Sequence, residues 1–357
     1  MEGLIMSNER KVQELMGAPG SPYTRKMLAY MRYRRIPYQF EIQTRMAGAG
    51  NDSHTKQRVQ PKVSLLPTFF FKDEKGNEEA VTDSTPLIQR FEGEYAGREA
   101  IPSDPALAFV NMLLEDYGDE WLTKAMFHYR WHYDADIKKA GDILPRWRGI
   151  SQSEEQAQKM GQFVRERQID RLSYVGSNDV TTPVIEESFK RFIHLLDAHL
   201  TDLPFLMGER PGSCDFAIYG QLTCLALFDP TPSAIILEAC PRVYAWVEVL
   251  EELSGYLVAD SDWIDIDNAP ETLKNILNEV GRIYAPYLLG NAAAVAGKAN
   301  LLEMSLDNRQ WQQNPFTYQA KCLQWLREAY AALEEVDRHR VNKLLEGTGL
   351  LQLFAHT

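Results

Sequence analysis

The chain has 357 residues, 45% of them apolar and 25% charged, which is material for two to three domains with a real core. Its net charge of −12, from 50 acidic against 38 basic residues, excludes a general nucleic-acid binder, because neutralising phosphates needs a basic surface. No apolar run approaches the roughly 18 residues of a membrane span, and no basic segment leads into an apolar one at the start, so a cytoplasmic protein without a membrane partner is expected.

Residues 11–18 read as a short strand ending at Pro19-Gly20. From Ser21-Pro22 the pattern turns helical, with Met27, Leu28, Met31 and Ile36 on one face and Pro37 as the stop. Residues 38–42 alternate as a second strand, and the polar stretch 43–61 reads as a loop. Residues 65–71 form a third strand, 72–77 a hairpin turn and 79–82 a fourth strand. Asp83-Ser84 then caps a helix from Thr85 to Tyr95. The order is β-α-β, a long connection, then β-β-α.

Beyond Pro105 everything reads as helix. Residues 106–131 carry a broad apolar face, 184–200 are amphipathic, and 213–227 are apolar enough for a central buried helix. Two more long helices are expected within 270–347, separated by Asn308–Pro315. The domains read as 10–97, 104–257 and an accessory helical layer at 265–357 packed on the second. The four cysteines, Cys214, Cys224, Cys240 and Cys322, all follow residue 200 and form no CxxC pair, so they read as small buried hydrophobes rather than a disulfide framework.

Three local features carry chemistry. Ser21-Pro22-Tyr23-Thr24-Arg25-Lys26 lies where a strand hands over to a helix, so free backbone N–H groups and a positive dipole end gather there. A thiolate would be stabilised at that point, with the Ser21 hydroxyl as an additional donor. A serine before a proline at a helix start is by itself most often a plain N-cap. Leu66-Pro67 precedes a strand; in a thioredoxin-like sheet a proline at this place is cis, and the residue before it would offer its backbone N–H and C=O to an extended peptide. Asp83-Ser84 opens the next helix, where a carboxylate meets free N–H groups and an α-ammonium meets Asp83. Together they suit a short peptide with a central thiol and an amino-acid end.

On these residues the chain resembles the glutathione transferase superfamily. Ser21-Pro22-Tyr23 is similar to the Ser-Pro-Phe of the tau class and the Cys-Pro-Phe of the omega class, and to a glutaredoxin Cys-Pro-Tyr-Cys with Ser21 and Thr24 in place of both cysteines. Leu66-Pro67 matches the family's cis-proline and Asp83-Ser84 its Glu/Gln-Ser pair. The run from Phe205 to Ala217 resembles the family's capping box, although Gly212 stands at the hydroxyl position with Ser213 beside it. The likeness spans about residues 10–255; the stretch 128–180 is longer than usual and 260–357 lies beyond the standard fold.

The resemblance implies a thioredoxin-like α/β domain, an all-α domain and an additional helical extension. It implies a detoxification-type transferase, usually a homodimer, that joins the glutathione thiolate to a small hydrophobic electrophile without a metal. Ser21 would be catalytic, and Tyr23, Arg25, Leu66, Pro67, Asp83 and Ser84 would hold glutathione. The rings of Tyr117, Trp121, Phe127, Tyr129 and Trp131 by themselves suit a core, but the family's corresponding helix lines the acceptor cleft, so Tyr117, Trp121 and Tyr129 would line that pocket, and Arg25 or Arg130 beside it would favour an anionic acceptor. Leu65 stands where the family carries a basic residue, which leaves Lys62, Arg25 and Gln60 as candidates for the glycine carboxylate. A non-catalytic scaffold on this fold and a glutathione-dependent reductase or isomerase are the competing readings. His128 and His132, at i and i+4, lack a third ligand and read as packing residues.

Overall fold

The structure is a computed structural model and describes residues 11–42 and 58–355. Most of the expected loop at 43–61 therefore lies outside the described residues. The first layer runs β1 (Gln13–Gly17), α1 (Pro22–Arg34), β2 (Tyr38–Ile42), β3 (Thr68–Lys72), β4 (Glu78–Val81) and α2 (Ser84–Glu94). These strands form one mixed sheet in the order β2-β1-β3-β4, with β1 parallel to β2 and antiparallel to β3. Leu15 sits opposite Phe40 on one side and Phe69 on the other, and Phe69 opposite Val81. Phe69, Phe71 and Phe91 pack their rings together beneath the sheet.

Differences from the sequence reading are local. β3 starts at Thr68 rather than Leu65, directly after the cis Leu66–Pro67 peptide, because Thr68 is the first residue that pairs with β1. α1 stops at Arg34, ahead of Pro37, because Arg35 takes the left-handed conformation (φ 53°) and its N–H caps Arg32 and Met31.

The remainder is largely helical: α3 (Pro105–Glu120), α4 (Leu122–His132), α5 (Asp134–Arg148), α6 (Glu154–Ile169), α7 (Thr182–His199), α8 (Ser213–Leu227), α9 (Pro230–Ala239) and α10 (Pro241–Leu250). The expected run 106–131 breaks at Trp121 into α3 and α4. α8 is buried along nearly its whole length and packs against both α1 and α3. Gly220 makes that approach possible, since a Cβ there would lie 2.7 Å from the Pro22 carbonyl oxygen. At the start of α8, Asp215 accepts from the N–H groups of Gly212 (2.8 Å) and Leu206 (2.9 Å), while Ser213 turns inward and donates to Glu115 (2.6 Å). The cap thus works through Asp215 rather than a hydroxyl.

The extension departs most from expectation. α11 (Glu271–Ala296) is followed by a hairpin of β5 (Leu302–Leu306) and β6 (Arg309–Gln313), then α12 (Thr317–Ala332) and α13 (Glu335–Leu345). Asp307 and Asn308 both adopt positive φ, which is the two-residue turn that matches strand twist. The long last helix expected from the apolar spacing is instead two, broken at Leu333-Glu334. α11 packs on α7 and α12, and Trp311 of β6 is fully buried against Trp121 and Tyr287. Among the described residues no single helix is long and apolar enough to cross a membrane.

Candidate functional site

The N-terminus of α1 faces the cis-proline turn. Ser21 has extended backbone geometry, so its Oγ accepts from the Thr24 N–H at 3.2 Å as an N-cap. The same hydroxyl donates to the Leu66 carbonyl oxygen at 3.4 Å, a long bond that a better acceptor could displace. Thr24 is buried and bonds the Ala18 N–H, so the second glutaredoxin-like position does not face the cleft. Tyr23 donates to the Asp119 carbonyl oxygen at 2.8 Å, and burial holds its phenol well above the ordinary pKa.

At the start of α2, Asp83 carries a positive φ of 85°, a strained backbone for a residue with a side chain. Its carboxylate does not cap α2; its Oδ2 accepts from the Tyr318 hydroxyl of α12 at 2.7 Å. Ser84 is buried, and its Oγ accepts from Lys26 Nζ at 3.2 Å.

Lys26 is the hub of a buried network. Its Nζ meets Glu115 at 2.7 Å and Asp119 at 2.6 Å, so it joins α1, α2 and α3 under the cleft. Burial opposes its charge, but Asp119 and Glu115 outweigh burial and lift the ammonium above its ordinary pKa. Asp119 goes the other way: burial raises it to about 6 against the pull of Lys26, and its Oδ1 has no partner among the described residues.

Two adjoining cavities share Tyr23, Leu65, Leu66 and Thr123. The first, about 560 Å³, holds Ser21 and is walled by Phe127 and Trp131 of α4 and by α5 and α6. The second, about 480 Å³, holds Pro67, Asp83 and Ser84 and is covered by Tyr318, Gln319 and Trp325 of the extension. Four carboxylates line the second: Asp83, Asp116, Asp119 and Glu120. Burial raises Glu120 to about 8 and lowers the neighbouring Lys124 to about 7. Lys124 Nζ is nonetheless fully partnered by the Val175 carbonyl, Tyr287 and Gln313.

Six of the seven residues expected to hold or activate glutathione thus border the two adjoining cavities, Ser21 and Tyr23 on one side, Leu66 between, and Pro67, Asp83 and Ser84 on the other. Others do not. Tyr117, Trp121 and Tyr129 are buried in the core; Tyr117 packs on Phe192 and Tyr284, Trp121 on Tyr287 and Trp311, Tyr129 on Phe189. The extension and α7 cover that face of α3 and α4, so Thr123, Phe127 and Trp131 face the first cavity instead. Arg25 points away, donating to the Pro19 carbonyl and Glu251. Lys62 and Gln60 are exposed and line neither cavity. Arg130 borders the first cavity, yet Asp229 neutralises it with paired bonds of 2.9 and 3.1 Å to Nε. His128 bonds Ser177 (2.8 Å) and Glu186 (3.3 Å) and stacks on His132.

Sequence reading missed Lys26, Asp119 and Tyr318. A lysine in an apolar helix stretch was the signal for the first; the pairing of α12 with Asp83 spans 235 positions and leaves no local trace.

Residues 15–99 match the family model described as glutathione S-transferase, N-terminal domain. No curated protein matches the chain in sequence. Solved structures similar to it include a glutathione S-transferase from Methylobacterium radiotolerans in complex with glutathione sulfonate (16% identity, 68% of this chain and 91% of that one, TM-score 0.39). They also include a tau class enzyme from mango, Mangifera indica (18%, 75% and 96%, TM-score 0.38), and a glutathione transferase family member from Pseudomonas fluorescens with bound S-(propanoic acid)-glutathione (14%, 66% and 93%, TM-score 0.34). Residues 15–99 are therefore a glutathione S-transferase N-terminal domain, of thioredoxin-like fold.

Proposed function

We propose that the chain is a Ser-type glutathione transferase of the cytoplasm that uses the glutathione thiolate on a small hydrophobic electrophile. The observation that carries this reading is the facing of Ser21, at the N-terminus of α1, and the cis Leu66–Pro67 turn across one cleft that continues to Asp83 and Ser84. The Ser21 hydrogen, now on a 3.4 Å bond to Leu66, would swing to the thiolate sulfur, and the positive end of α1 would add to that stabilisation. The thiol proton leaves to solvent, the sulfur bonds to the electrophilic carbon, and the leaving group departs with its electron pair. The γ-glutamyl carboxylate would meet the Ser84 hydroxyl and the N–H groups of α2, and the ammonium would meet Asp83 and the unpartnered Oδ1 of Asp119.

Calorimetric titration with glutathione tests the reading on wild type, Asp83→Asn and Ser21→Ala. Clear wild-type binding should weaken about ten-fold or more in Asp83→Asn, because a charged partner is lost. Ser21→Ala should keep most of its affinity but lose about 10²-fold in turnover of an electrophile, as for loss of one oriented donor. A folded wild type that binds no glutathione overturns the proposal.

One observation favours a second reading, a binding module without turnover: the Tyr318 hydroxyl already occupies Asp83. Tyr318→Phe separates the two. Glutathione affinity that rises in this variant marks a covered subsite; affinity that is unchanged leaves the transferase reading in place.

A further inference from the structure

The second cavity, about 480 Å³, extends past the groups the glutathione reading uses. Its far wall is α12, which brings Tyr318, Gln319, Cys322 and Trp325 to it, the spacing of one helical face. α12 lies outside the residues that match the family model. The mouth is apolar: Val63, Leu65, Tyr174, Phe316 and Trp325 all line the cavity and are all exposed. Apolar side chains scattered singly over a surface need no explanation, but five around one opening mark a place for a ligand.

The floor is acidic. Asp116, Asp119 and Glu120, from the last turns of α3, line it, and Asp119 and Glu120 are more than nine-tenths buried. Lys26 takes the Oδ2 of Asp119, but Oδ1 has no partner among the described residues. Asp116 accepts from the Tyr284 hydroxyl at 2.6 Å and Glu120 from the Gln319 amide at 2.9 Å, both neutral donors. Among the described residues that line the cavity Lys124 is the only cation, and the Val175 carbonyl, Tyr287 and Gln313 already take up its Nζ. Burial raises Asp116 to about 7 and Glu120 to about 8, so near neutral pH a cation beside them would tip both to the charged form.

We propose that this cavity binds an amphiphilic amine, with its ammonium toward Asp116, Asp119 and Glu120 and its hydrocarbon toward Leu65, Phe316 and Trp325. Carboxyl groups buried without a cation are costly to ionise, and an ammonium brings charge and three donors to them at once. Aromatic rings at the mouth favour a cation over a neutral ligand on its way in. The inference does not rest on the transferase reading, with which it shares only Asp119.

The experiment is calorimetry at about pH 8 with three ligands of one skeleton, 4-phenylbutylamine, 4-phenylbutan-1-ol and 4-phenylbutyrate, so that amine and carboxylates can both carry charge. Wild type should bind the amine about ten-fold or more tightly than the alcohol, and the butyrate least. The double variant Asp116→Asn, Glu120→Gln should lose the preference for the amine and keep its affinity for the alcohol. Glu238→Gln, an exposed change of the same charge, should alter neither. Trp325→Ala should weaken amine and alcohol alike, which places both ligands against α12. Should the double variant melt early, Glu120→Gln alone serves, and it should reduce amine affinity selectively. Equal affinity for amine and alcohol, or a preference untouched by the carboxylate changes, overturns the proposal. It is also overturned if Asp83→Asn weakens the amine as much as the double variant does, since the ammonium would then sit where the amino end of the tripeptide belongs. Amine binding that follows the expected pattern in a chain that binds no glutathione upholds the cation site and sinks the glutathione reading separately.

Discussion

Lys26 stands as a fully buried cation between two carboxylates, one of which, Asp119, lines the second cavity together with Glu120. One ammonium against Glu115 and Asp119 leaves the floor of the second cavity poor in positive charge, so Glu120 holds its proton to about 8 because burial and Asp116 both disfavour the anion. The sign for stability follows from the direction of that shift. Below about pH 4 both folded and unfolded chains carry the Glu120 proton. Between there and about 8 the unfolded chain has released it while the native state keeps it, so stability falls as pH rises across that window. Glu120→Gln keeps the bond to Gln319 and removes the titration. Urea unfolding at pH 5 to 8 should therefore show a shallower loss in the variant, by up to about 1.4 kcal/mol per pH unit for one proton. Parallel slopes for both proteins would disprove it.

Elements decide where the serine sits. α1 begins correctly from its own residues, with Ser21 as cap and Pro22 at the first turn, but its height over the sheet is set by α8 beneath it. A methyl at Gly220 would lie 2.7 Å from the Pro22 carbonyl oxygen and 3.1 Å from Lys26 Cβ, and a backbone atom cannot swing aside. Gly220→Ala should cost about 1–3 kcal/mol by overpacking and shift Ser21 relative to Leu66. Chemical denaturation measures the first, and glutathione titration the second; a variant as stable as wild type with unchanged binding refutes the claim. The same scale explains the errors of reading at the C-terminus. Leu302, Met304 and Leu306 alternate, and Asp307-Asn308 is a turn dipeptide, so the hairpin was legible there but was overshadowed by helical spacing on both sides.

Across the whole molecule the extension is part of the core rather than a separate layer. Leu273, Ile276, Leu277, Val280, Ile283, Tyr284, Tyr287 and Leu288 of α11 are all fully buried. At about 1.5–3 kcal/mol for each such side chain, their removal costs as much as the roughly 5–15 kcal/mol by which a domain is stable, or more. A chain ending at 264 should therefore lose its cooperative thermal transition and expose Lys124, whose partners Tyr287 and Gln313 go with the extension. A sharp melt by circular dichroism in that truncated chain would show the extension to be dispensable.

Sequence alone determined the β-α-β, β-β-α order, the cap at Ser21, the proline turn at Leu66 and the start of α2, because each is set by residues a few positions apart. It also determined that α8 is central, since a helix apolar on every side has nowhere else to go. Tertiary structure decided the rest. Which face of α3 and α4 meets the cavity depends on α7 and α11 covering the other, so Tyr117, Trp121 and Tyr129 became core while Phe127 and Trp131 became wall. The Lys26 network and the Tyr318 contact to Asp83 join residues from separate elements. Burial and charge there arise from packing between distant segments, and periodicity within a segment carries no record of its partner.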